Sequence, residues 1–571
     1  MGFRRAALSN PEPAVAKPRR RLRFAQRWWG KLGLLLLTTA LLTFAFAPFD
    51  QFFLAWVALV PWLIVLSACR SPVTAFLWSW LGGVAFFIAN MWWLVYVTGP
   101  GMVALMAVLG LYWGAAGAVI VGWRLAADAP DRSGWAILGA ATLIAVIWAA
   151  LEWLRGFWPL GGLAWLYLGH TQSPFTQICQ ISDVTGVYGV SFVIALINAA
   201  LALAILNRES LRALIPMGVT VLVVLGAILG YGSFRLHQHT THPGPTVMVV
   251  QANYPQSNSG EKGADLREIL AFHLSETRKA LVAHPADLVV WSETMMPSIN
   301  PQTRHLMSIA EEADVKITAL AQKYHLDLLV GGSYYDHWVP RKDGYFPLDR
   351  RNSAYFYTAN GQSSLRYDKI HLVPFGEYLP FKSGFPPLYR LFIALSPYDE
   401  EKTEASTLTP GSPDALTVFE MKPGWRFVTP ICFEDIDADL VRRMFEPQGS
   451  SGKRADFIVN ITNDGWFKYN EMPQHLQAAV FRSIENRVPT ARSVNTGISG
   501  FIDSVGRTSD LVSADREGVS TRQLQLDDRV SVYTRIGDVF AYVCAGITGL
   551  LVVMGLGRWW RERRIRRRAA V

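Results

Sequence analysis

Three side chains with catalytic potential lie at or near the ends of strand-like runs in the second half of the chain. Glu293 ends the run ADLVVWSE, Lys369 stands in RYDKIHLVPFGEYLP, and Cys432 ends RFVTPIC. The strands of an α/β sheet present their ligand sites at such ends. We therefore expect these three side chains to lie together at one edge of a sheet.

A carboxylate, an ammonium and a thiol together supply what covalent acyl transfer requires. A partly buried carboxylate can remove the proton of a thiol, and the thiolate is the nucleophilic form. A fixed ammonium stabilises the oxyanion that forms when a carbonyl is attacked. Each residue alone also has an ordinary interpretation: Glu293 as a helix cap, Lys369 as a surface charge and Cys432 as a small buried hydrophobic residue.

The chain has four cysteines, and only one of them belongs to a long polar stretch. Cys69, Cys179 and Cys544 lie in or beside apolar segments, whereas Cys432 lies among soluble-type sequence. No disulfide framework is expected around Cys432. An unpaired thiol is a liability in an oxidising compartment, which favours a chemical role for it.

Long apolar stretches fill residues 31–232 and recur near the carboxyl terminus. A helix that crosses a bilayer needs ~20 apolar residues. Eight stretches of the 571-residue chain meet this length: 31–49, 52–69, 74–98, 101–124, 134–154, 186–206, 211–231 and 534–556. The sequence therefore predicts a multi-pass membrane protein with eight spans.

Basic residues at both ends predict the orientation of the chain. The first 31 residues hold nine lysines and arginines against one acid, and seven arginines follow the last span between Arg558 and Arg568. Positive flanks remain cytoplasmic, so both termini are expected inside and the polar segment outside. The net charge of +9 then indicates anchoring near anionic lipid, and no nucleic-acid partner is predicted.

The predicted organisation has five parts. They are a cytoplasmic basic tail (1–30), a seven-span bundle (31–232), an external soluble domain (245–530), the eighth span (534–556) and a second cytoplasmic tail (557–571). Helical and strand-like patterns alternate in the soluble part, and continuously apolar strands such as FIVNI favour an α/β layered sandwich. No metal or nucleotide motif stands in a suitable context, so neither a metal nor a cofactor is predicted.

Seven segments of the chain are distinctive. They are WSE (291–293), DKIHLVPFGEYLP (368–380), ICFED (431–435), NITNDGWF (460–467), EWLRGFWPLGGLAWLYLGH (152–170), GVYGVSFVIALINA (186–199) and RSVNTGISG (492–500). Together they resemble the nitrilase, or carbon–nitrogen hydrolase, superfamily, and in particular its membrane-embedded branch, the apolipoprotein N-acyltransferases. The resemblance implies that the soluble domain is a nitrilase-like αββα sandwich with a Glu–Lys–Cys triad.

The resemblance also implies a role for individual residues. Glu293 would be the general base, Lys369 the cation that stabilises the oxyanion, and Cys432 the thiol that carries the acyl group. Glu377 would be an additional essential carboxylate near the triad. Glu434, two residues after the nucleophile, would be another functionally important acid.

Three further residues are candidates for the surroundings of the thiol. The backbone N–H of Phe433 could help to hold the oxyanion. Tyr378 begins an apolar, proline-punctuated loop, which we interpret either as a lid at the membrane surface or as a segment that simply packs onto the bundle. We interpret Trp466 either as a wall of the pocket or as an ordinary packing residue. The chain departs from the family at Ser292, where proline is usual, and in lacking a tryptophan shortly after VQANYPQ (250–256).

The resemblance implies an enzyme of the bacterial inner membrane with its catalytic domain on the periplasmic face, and we expect it to be a monomer. It would move a fatty acyl chain from a phospholipid, phosphatidylethanolamine in this family, through a cysteine thioester to the amino group of a diacylglyceryl-cysteine apolipoprotein. Two alternatives remain open. One is a membrane-tethered amidase or nitrilase that passes the acyl group to water, and the other is a transporter with an external binding domain.

Overall fold

The computed structural model describes residues 23–97, 99–127, 132–209, 211–255, 264–341, 344–395, 407–447, 452–467 and 471–569. Most of the predicted amino-terminal tail, up to residue 22, lies outside these residues. Helices dominate the first part of the chain. They are α1 (Trp28–Ala45), α2 (Ala55–Ala58), α3 (Val60–Ser67), α4 (Pro72–Met91), α5 (Gly99–Gly122), α6 (Gly134–Phe157), α7 (Thr176–Cys179), α8 (Ser182–Thr185), α9 (Val187–Leu206) and α10 (Leu211–Leu236).

Seven helical segments of the described chain have the length and apolar composition needed to cross a membrane. They are Trp28–Ala45, Pro72–Tyr96, Gly99–Gly122, Gly134–Phe157, Val187–Leu206, Leu211–Leu236 and Val539–Arg568. The remaining predicted span, 52–69, is a shorter apolar segment, Phe52–Ser67. Together these segments account for the eight predicted spans.

The short segment is interrupted between α2 and α3. Pro61 lies in the first turn of α3, and proline disfavours a continuous helix through the residues before it. The buried amide of Asn198 accepts a hydrogen bond from the Leu59 N–H at 2.8 Å and donates one to the Ala55 carbonyl at 2.9 Å. A broken helix in apolar surroundings is tolerated because protein side chains satisfy its free backbone groups.

The soluble part contains two six-stranded sheets. Their strands are β1 (Thr241–Gln251), β2 (Leu288–Met296), β3 (Asp327–Arg341), β4 (Gly344–Thr358), β5 (Gly361–Asp368), β6 (Phe419–Glu420), β7 (Arg426–Val428), β8 (Phe457–Thr462), β9 (Thr490–Val494), β10 (Ser499–Ile502), β11 (Thr508–Val512) and β12 (Gly518–Asp527). The strand orders are β12-β1-β2-β3-β4-β5 and β11-β10-β9-β8-β7-β6. The pairs β1–β2, β2–β3, β7–β8 and β8–β9 are parallel, and the others are antiparallel.

The remaining described helices lie beside the sheets or lead back to the membrane. They are α11 (Leu266–Ala283), α12 (Ser308–Tyr324), α13 (Pro386–Leu395), α14 (Ala438–Phe445), α15 (Glu471–Asn486), α16 (Val532–Ile536) and α17 (Val539–Ala569). Val249 and Val290 of the first sheet share a buried core with Phe427 and Val459 of the second. Alternate residues of the first sheet pack against α11 and α12. This is the predicted αββα sandwich, joined to a helical bundle.

Helix α15 joins the sandwich to the bundle. Its Val480 and Phe481 belong to the same apolar core as the membrane helices. The Trp165 indole donates to the Gln474 side chain at 2.9 Å, and the Val187 N–H donates to the Glu485 carboxylate at 2.9 Å. Apolar packing and buried hydrogen bonds therefore hold the sandwich against the bundle.

A buried ion cluster reinforces this junction. Asp183, in α8, lies 2.7 Å from Arg487 and 2.5 Å from Arg235, and the side chains of Asp183 and Arg487 are completely buried. Arg487 also donates to the Gln180 side chain at 2.6 Å. Charges removed from water are stable only when they remain paired.

We predict that Asp183→Asn destabilises the protein by about 3–5 kcal/mol, because it leaves the buried Arg487 without a full counter-charge. Thermal unfolding in detergent measures the effect as a lower midpoint. The control is Asp510→Asn, which removes an exposed partner of Arg522 and should cost about 0–1 kcal/mol. Equal midpoints for the two variants would contradict a stabilising role for the cluster.

Candidate active site

Glu293 lies within β2 at a break in the pairing of β2 with β3. The sequence suggested that the strand ends at Glu293, but it continues to Met296, and its register with β3 shifts after Trp291. The opposing residue Gly331 makes this possible, since a Cβ there would lie 2.3 Å from the Ser292 carbonyl oxygen. Such irregularities re-aim side chains. Here the Glu293 carboxylate reaches the second sheet, where it accepts the Asn463 N–H at 2.7 Å.

Lys369 follows β5 directly and is 1% exposed. Its ammonium lies 2.8 Å from Glu377 Oε1 and 3.6 Å from Glu293 Oε1. Burial lowers the pKa of Lys369, but the adjacent Glu377, Cys432 and Glu293 outweigh burial and raise the pKa above its usual value. The side chain is therefore a fixed cation between two carboxylates.

Glu377 holds Lys369 in place and is itself held by the loop that carries it. Its Oε2 accepts the Val373 N–H at 2.7 Å. The Asn352 amide bridges the two carboxylates, donating to Glu293 Oε1 at 2.5 Å and more weakly to Glu377 Oε1 at 3.4 Å. Asn352 was not among the predicted residues, because only the pairing of β3, β4 and β5 brings it to this position.

Cys432 begins a 3₁₀ helix, Cys432–Ile436, and is 9% exposed. Its φ of +52° lies in the left-handed region, which costs a non-glycine residue about 1–3 kcal/mol. The thiol lies beside the Glu293 carboxylate, close enough to interact with it. Burial, followed by the negative charge of Glu293, raises the pKa of Cys432 well above its usual value, while Lys369 opposes the shift. The resting thiol is therefore protonated and in contact with its predicted base.

The Glu293 carboxyl is adapted to accept that proton. Burial raises its pKa above the ordinary value of 4.5, Lys369 lowers it, and the negative charge of Glu377 raises it again. A carboxylate with a raised pKa is a stronger base than a solvated one. Glu293, Lys369, Glu377 and Cys432 thus form one buried cluster, which we call the thiol cluster.

Glu434 connects the segments that carry Lys369 and Cys432. Its carboxylate accepts the backbone N–H groups of Ile370 at 2.6 Å, His371 at 3.0 Å and Ile431 at 2.8 Å. It also accepts the Tyr367 hydroxyl at 3.0 Å. Burial raises the pKa of Glu434 to about 7, although these backbone donors favour the ionised form. One carboxylate therefore joins the end of β5 to the turn that contains the thiol.

A second buried network supports the turn that follows Cys432. The His475 ring contacts Asp435 at 2.7 Å and Asp464 at 3.1 Å, and Arg492 pairs with Asp435 at 2.5 Å. Burial lowers the pKa of His475, but Asp435 and Asp464 outweigh burial and raise the pKa to about 10. Sequence reasoning missed His475 and Arg492, whose partners are distant in the chain.

Three of these network residues are close enough to suggest a metal site. Ligand atoms of Asp464, Glu471 and His475 lie within 4.8 Å of one another. A protonated imidazole, however, has both nitrogens engaged as donors and no lone pair for a metal. The chemistry of the donor set therefore fits an ion network better than a metal centre.

The other predicted site residues lie around the cluster. The half-buried Phe433 packs its ring edge-on against His371 at 5.3 Å between centroids. Tyr378, directly after Glu377, accepts the Phe375 N–H through its carbonyl at 2.7 Å. Trp466 lies in the 3₁₀ helix Asp464–Trp466 and is 36% exposed, as a residue at the rim of a site would be.

We predict that Glu434→Gln lowers stability by about 1–3 kcal/mol, because the amide turns a donor toward backbone donors and leaves at least one of them unpaired. It should also change the alkylation rate of Cys432 by displacing its turn. Thermal unfolding and peptide mass analysis after alkylation measure the two effects. Tyr367→Phe, which removes one donor only, should have a smaller effect, and exposed Glu420→Gln none. Wild-type behaviour of Glu434→Gln would refute the connecting role.

Comparisons with known proteins agree with this architecture. Residues 38–200 match the model of the apolipoprotein N-acyltransferase N-terminal domain, and residues 246–533 match the carbon–nitrogen hydrolase model. An apolipoprotein N-acyltransferase from Geobacter metallireducens is 32% identical over 88% of this chain and 90% of its own. One from Bradyrhizobium diazoefficiens is 30% identical over 92% of this chain and 95% of its own.

Among solved structures, the carbon–nitrogen hydrolase from Helicobacter pylori G27 aligns with 50% of this chain and 89% of its own, at 16% identity and a TM-score of 0.35. The family models and the curated relatives cover both the helical bundle and the sandwich. This chain is a membrane protein that belongs to the apolipoprotein N-acyltransferase family and carries a carbon–nitrogen hydrolase domain.

Proposed function

We propose that this chain transfers a fatty acyl group from a phospholipid to the free α-amino group of a diacylglyceryl-cysteine apolipoprotein. The observation that carries the proposal is the thiol cluster, in which a buried thiol, a base and a cation meet in a domain packed on an apolar helical bundle. Membership of the family supports an acyltransferase activity. The donor expected from the family is phosphatidylethanolamine, and the expected enzyme is a monomer without cofactor.

In the first half-reaction, Glu293 removes the proton of Cys432 while the sulfur attacks the carbonyl carbon of a glycerol ester. The tetrahedral intermediate collapses by breaking the bond between that carbon and the glycerol oxygen. The departing oxygen takes the proton from Glu293. The products are a thioester on Cys432 and a lysophospholipid, and Glu293 is again ionised.

In the second half-reaction, the neutral amino group of the lipoprotein attacks the thioester carbon. Glu293 accepts a proton from the amine as the new C–N bond forms, and it returns a proton to the sulfur as the C–S bond breaks. The amide product leaves and the thiol is restored. Because the two half-reactions are separate, the two membrane-anchored substrates need not be bound together.

The developing oxyanion needs donors that are already in place. The Lys369 ammonium is one, since two carboxylates hold it rigidly beside the thiol. We assign the Phe433 backbone N–H as a second donor. Since the left-handed conformation of Cys432 sets the direction of the next peptide group, the strained turn would orient this N–H as well as the sulfur.

We place the protein in a bacterial inner membrane with both termini cytoplasmic and the sandwich in the periplasm. The basic tails at both ends and eight helical segments support this orientation. The loop after Glu377 would approach the membrane surface, since α13 is amphipathic and both Phe385 and Leu391 are more than half exposed. A lipid could then reach the thiol laterally beneath this loop, which includes Tyr378.

We predict that wild-type protein incubated with phospholipid gains the mass of one acyl chain, and that Cys432→Ser does not. Glu293→Gln and Lys369→Ala should slow the gain by at least about 100-fold, because each removes a group that acts in the transition state. Cys69→Ser, a change in the bundle, is the matched control and should behave as wild type. Intact mass spectrometry measures all four variants.

Absence of the adduct on folded wild-type protein would contradict the thioester route. Near-normal acylation of Glu293→Gln or Lys369→Ala would remove that residue from the proposed mechanism. Release of free fatty acid at the same rate with and without an acceptor peptide would favour the hydrolase alternative.

We predict that acylation of Cys432 falls with decreasing pH through a midpoint above 4.5, because Glu293 must be ionised and its pKa is raised above that value. Glu377→Gln removes a negative charge that raises the pKa of Glu293, so it should move the midpoint to lower pH in addition to lowering the rate. Single-turnover rates across pH measure both effects. A midpoint at or below 4.5 in the wild type, or an unmoved midpoint in the variant, would contradict this assignment of the base.

A further inference from the structure

Strands β3 and β4 form a long ribbon with a cavity of about 490 Å³ beside it. Aromatic side chains form much of the wall, including Tyr335, Trp338, Tyr345 and Phe346, and Arg350 contributes the charge. Sequence reasoning did not find this cavity, because it expected β3 to end near residue 335 whereas the strand continues to Arg341. None of these residues belongs to the thiol cluster.

Two donors of the cavity wall are buried without a hydrogen-bond partner. They are Arg350 Nε and Trp338 Nε1. Buried donors are almost always paired, and both of these groups can only donate. Among the described residues no carboxylate forms an ion pair with Arg350, whose guanidinium lies 5.3 Å from the centre of the Tyr335 ring. An occupant that satisfies both donors must present acceptor oxygens, and the charge of Arg350, which has no carboxylate partner among the described residues, favours an anion.

Arg350 is on the side of the sheet that faces the thiol cluster. Asn352, which bonds to Glu293, lies opposite Ser333, and Arg350 lies opposite Tyr335. Residues two apart on a strand point to the same face and are separated by about 7 Å. The charge that Arg350 contributes therefore lies one step along β4 from Asn352, the residue that donates to Glu293.

We propose that this cavity binds the phosphate of the donor phospholipid, with Arg350 and Trp338 as its donors, while an ester of the same lipid meets Cys432. The inference rests on the proposed function and extends it to the headgroup. A guanidinium presents a planar set of donors that matches phosphate oxygens, and the indole N–H adds one more. A peptide segment of the acceptor, whose carbonyls are neutral, would leave the charge of Arg350 unbalanced.

The test compares two acyl donors in the first half-reaction, measured by mass as acylation of Cys432. One donor is phosphatidylethanolamine in detergent micelles, and the other is a fatty p-nitrophenyl ester, which has no phosphate. Arg350→Ala should lower kcat/KM for the phospholipid by about 10- to 100-fold and leave that for the nitrophenyl ester unchanged. Trp338→Phe, which keeps the ring, should show a smaller loss of the same kind.

Arg350→Lys keeps the charge but loses the planar donors, and it should fall between wild type and Arg350→Ala. Arg267→Ala, which removes a charge from an exposed pair with Glu312, is the control and should react normally with both donors. If wild-type protein is acylated by neither donor, or only by the nitrophenyl ester, the proposed function itself fails. The headgroup site is therefore tested only by how the ratio of kcat/KM for the two donors changes between wild type and the Arg350 variants.

Three results would overturn the headgroup site while leaving the proposed function intact. If Arg350→Ala lost the same factor in kcat/KM with both acyl donors, or lost nothing with either, Arg350 would have no role specific to phosphate. If Arg350→Ala were acylated normally by both donors but transferred the acyl group slowly to a diacylglyceryl peptide, the cavity would bind the acceptor lipoprotein instead. Inhibition of the nitrophenyl ester reaction by inorganic phosphate, lost in Arg350→Ala, would indicate a site for the free anion instead.

Discussion

The geometry of the thiol cluster depends on one buried carboxylate. Glu434 accepts hydrogen bonds from both sides of the cluster, from the segment after β5 that contains Lys369 and from the residue before Cys432. The turn that it holds is strained at Cys432, and strain persists only where the surroundings over-determine it. A carboxamide would turn its own donor toward these donors and leave at least one of them unpaired. We therefore expect an acid at this position, two residues after the thiol.

Similar pairing of buried charges recurs through the molecule. Asp183 with Arg487 joins the sandwich to the bundle, and His475 with Asp435 supports the far side of the thiol turn. These pairs are directional as well as strong, because each charged group is also hydrogen-bonded. Apolar packing alone would allow the sandwich to slide on the bundle. The buried ions fix its orientation on the bundle.

Residue type and local pattern were sufficient to predict much of this structure. The apolar stretches predicted the helical bundle, the alternating patterns predicted the layered sandwich, and Glu293, Lys369 and Cys432 followed from their positions near strand ends. What could not be predicted depends on strand pairing. Asn352 enters the cluster only through the register of β3, β4 and β5. The prediction that β2 ends at Glu293 was wrong, because the irregular pairing of β2 with β3 leaves no mark in the local sequence. The ion pairs of His475 could not be predicted either, because Asp435 and Asp464 are distant from it in the sequence.

The central claim is that the acyl group on Cys432 is an intermediate, and the most direct measurement is transfer from isolated acyl-enzyme. Acylated protein would be purified free of phospholipid and mixed with a diacylglyceryl-cysteine peptide, and both masses would be followed in a single turnover. The account predicts that the protein loses one acyl chain as the peptide gains one amide-linked chain. Persistence of the acyl group on the protein, or its appearance as free fatty acid while the peptide stays unchanged, would contradict it.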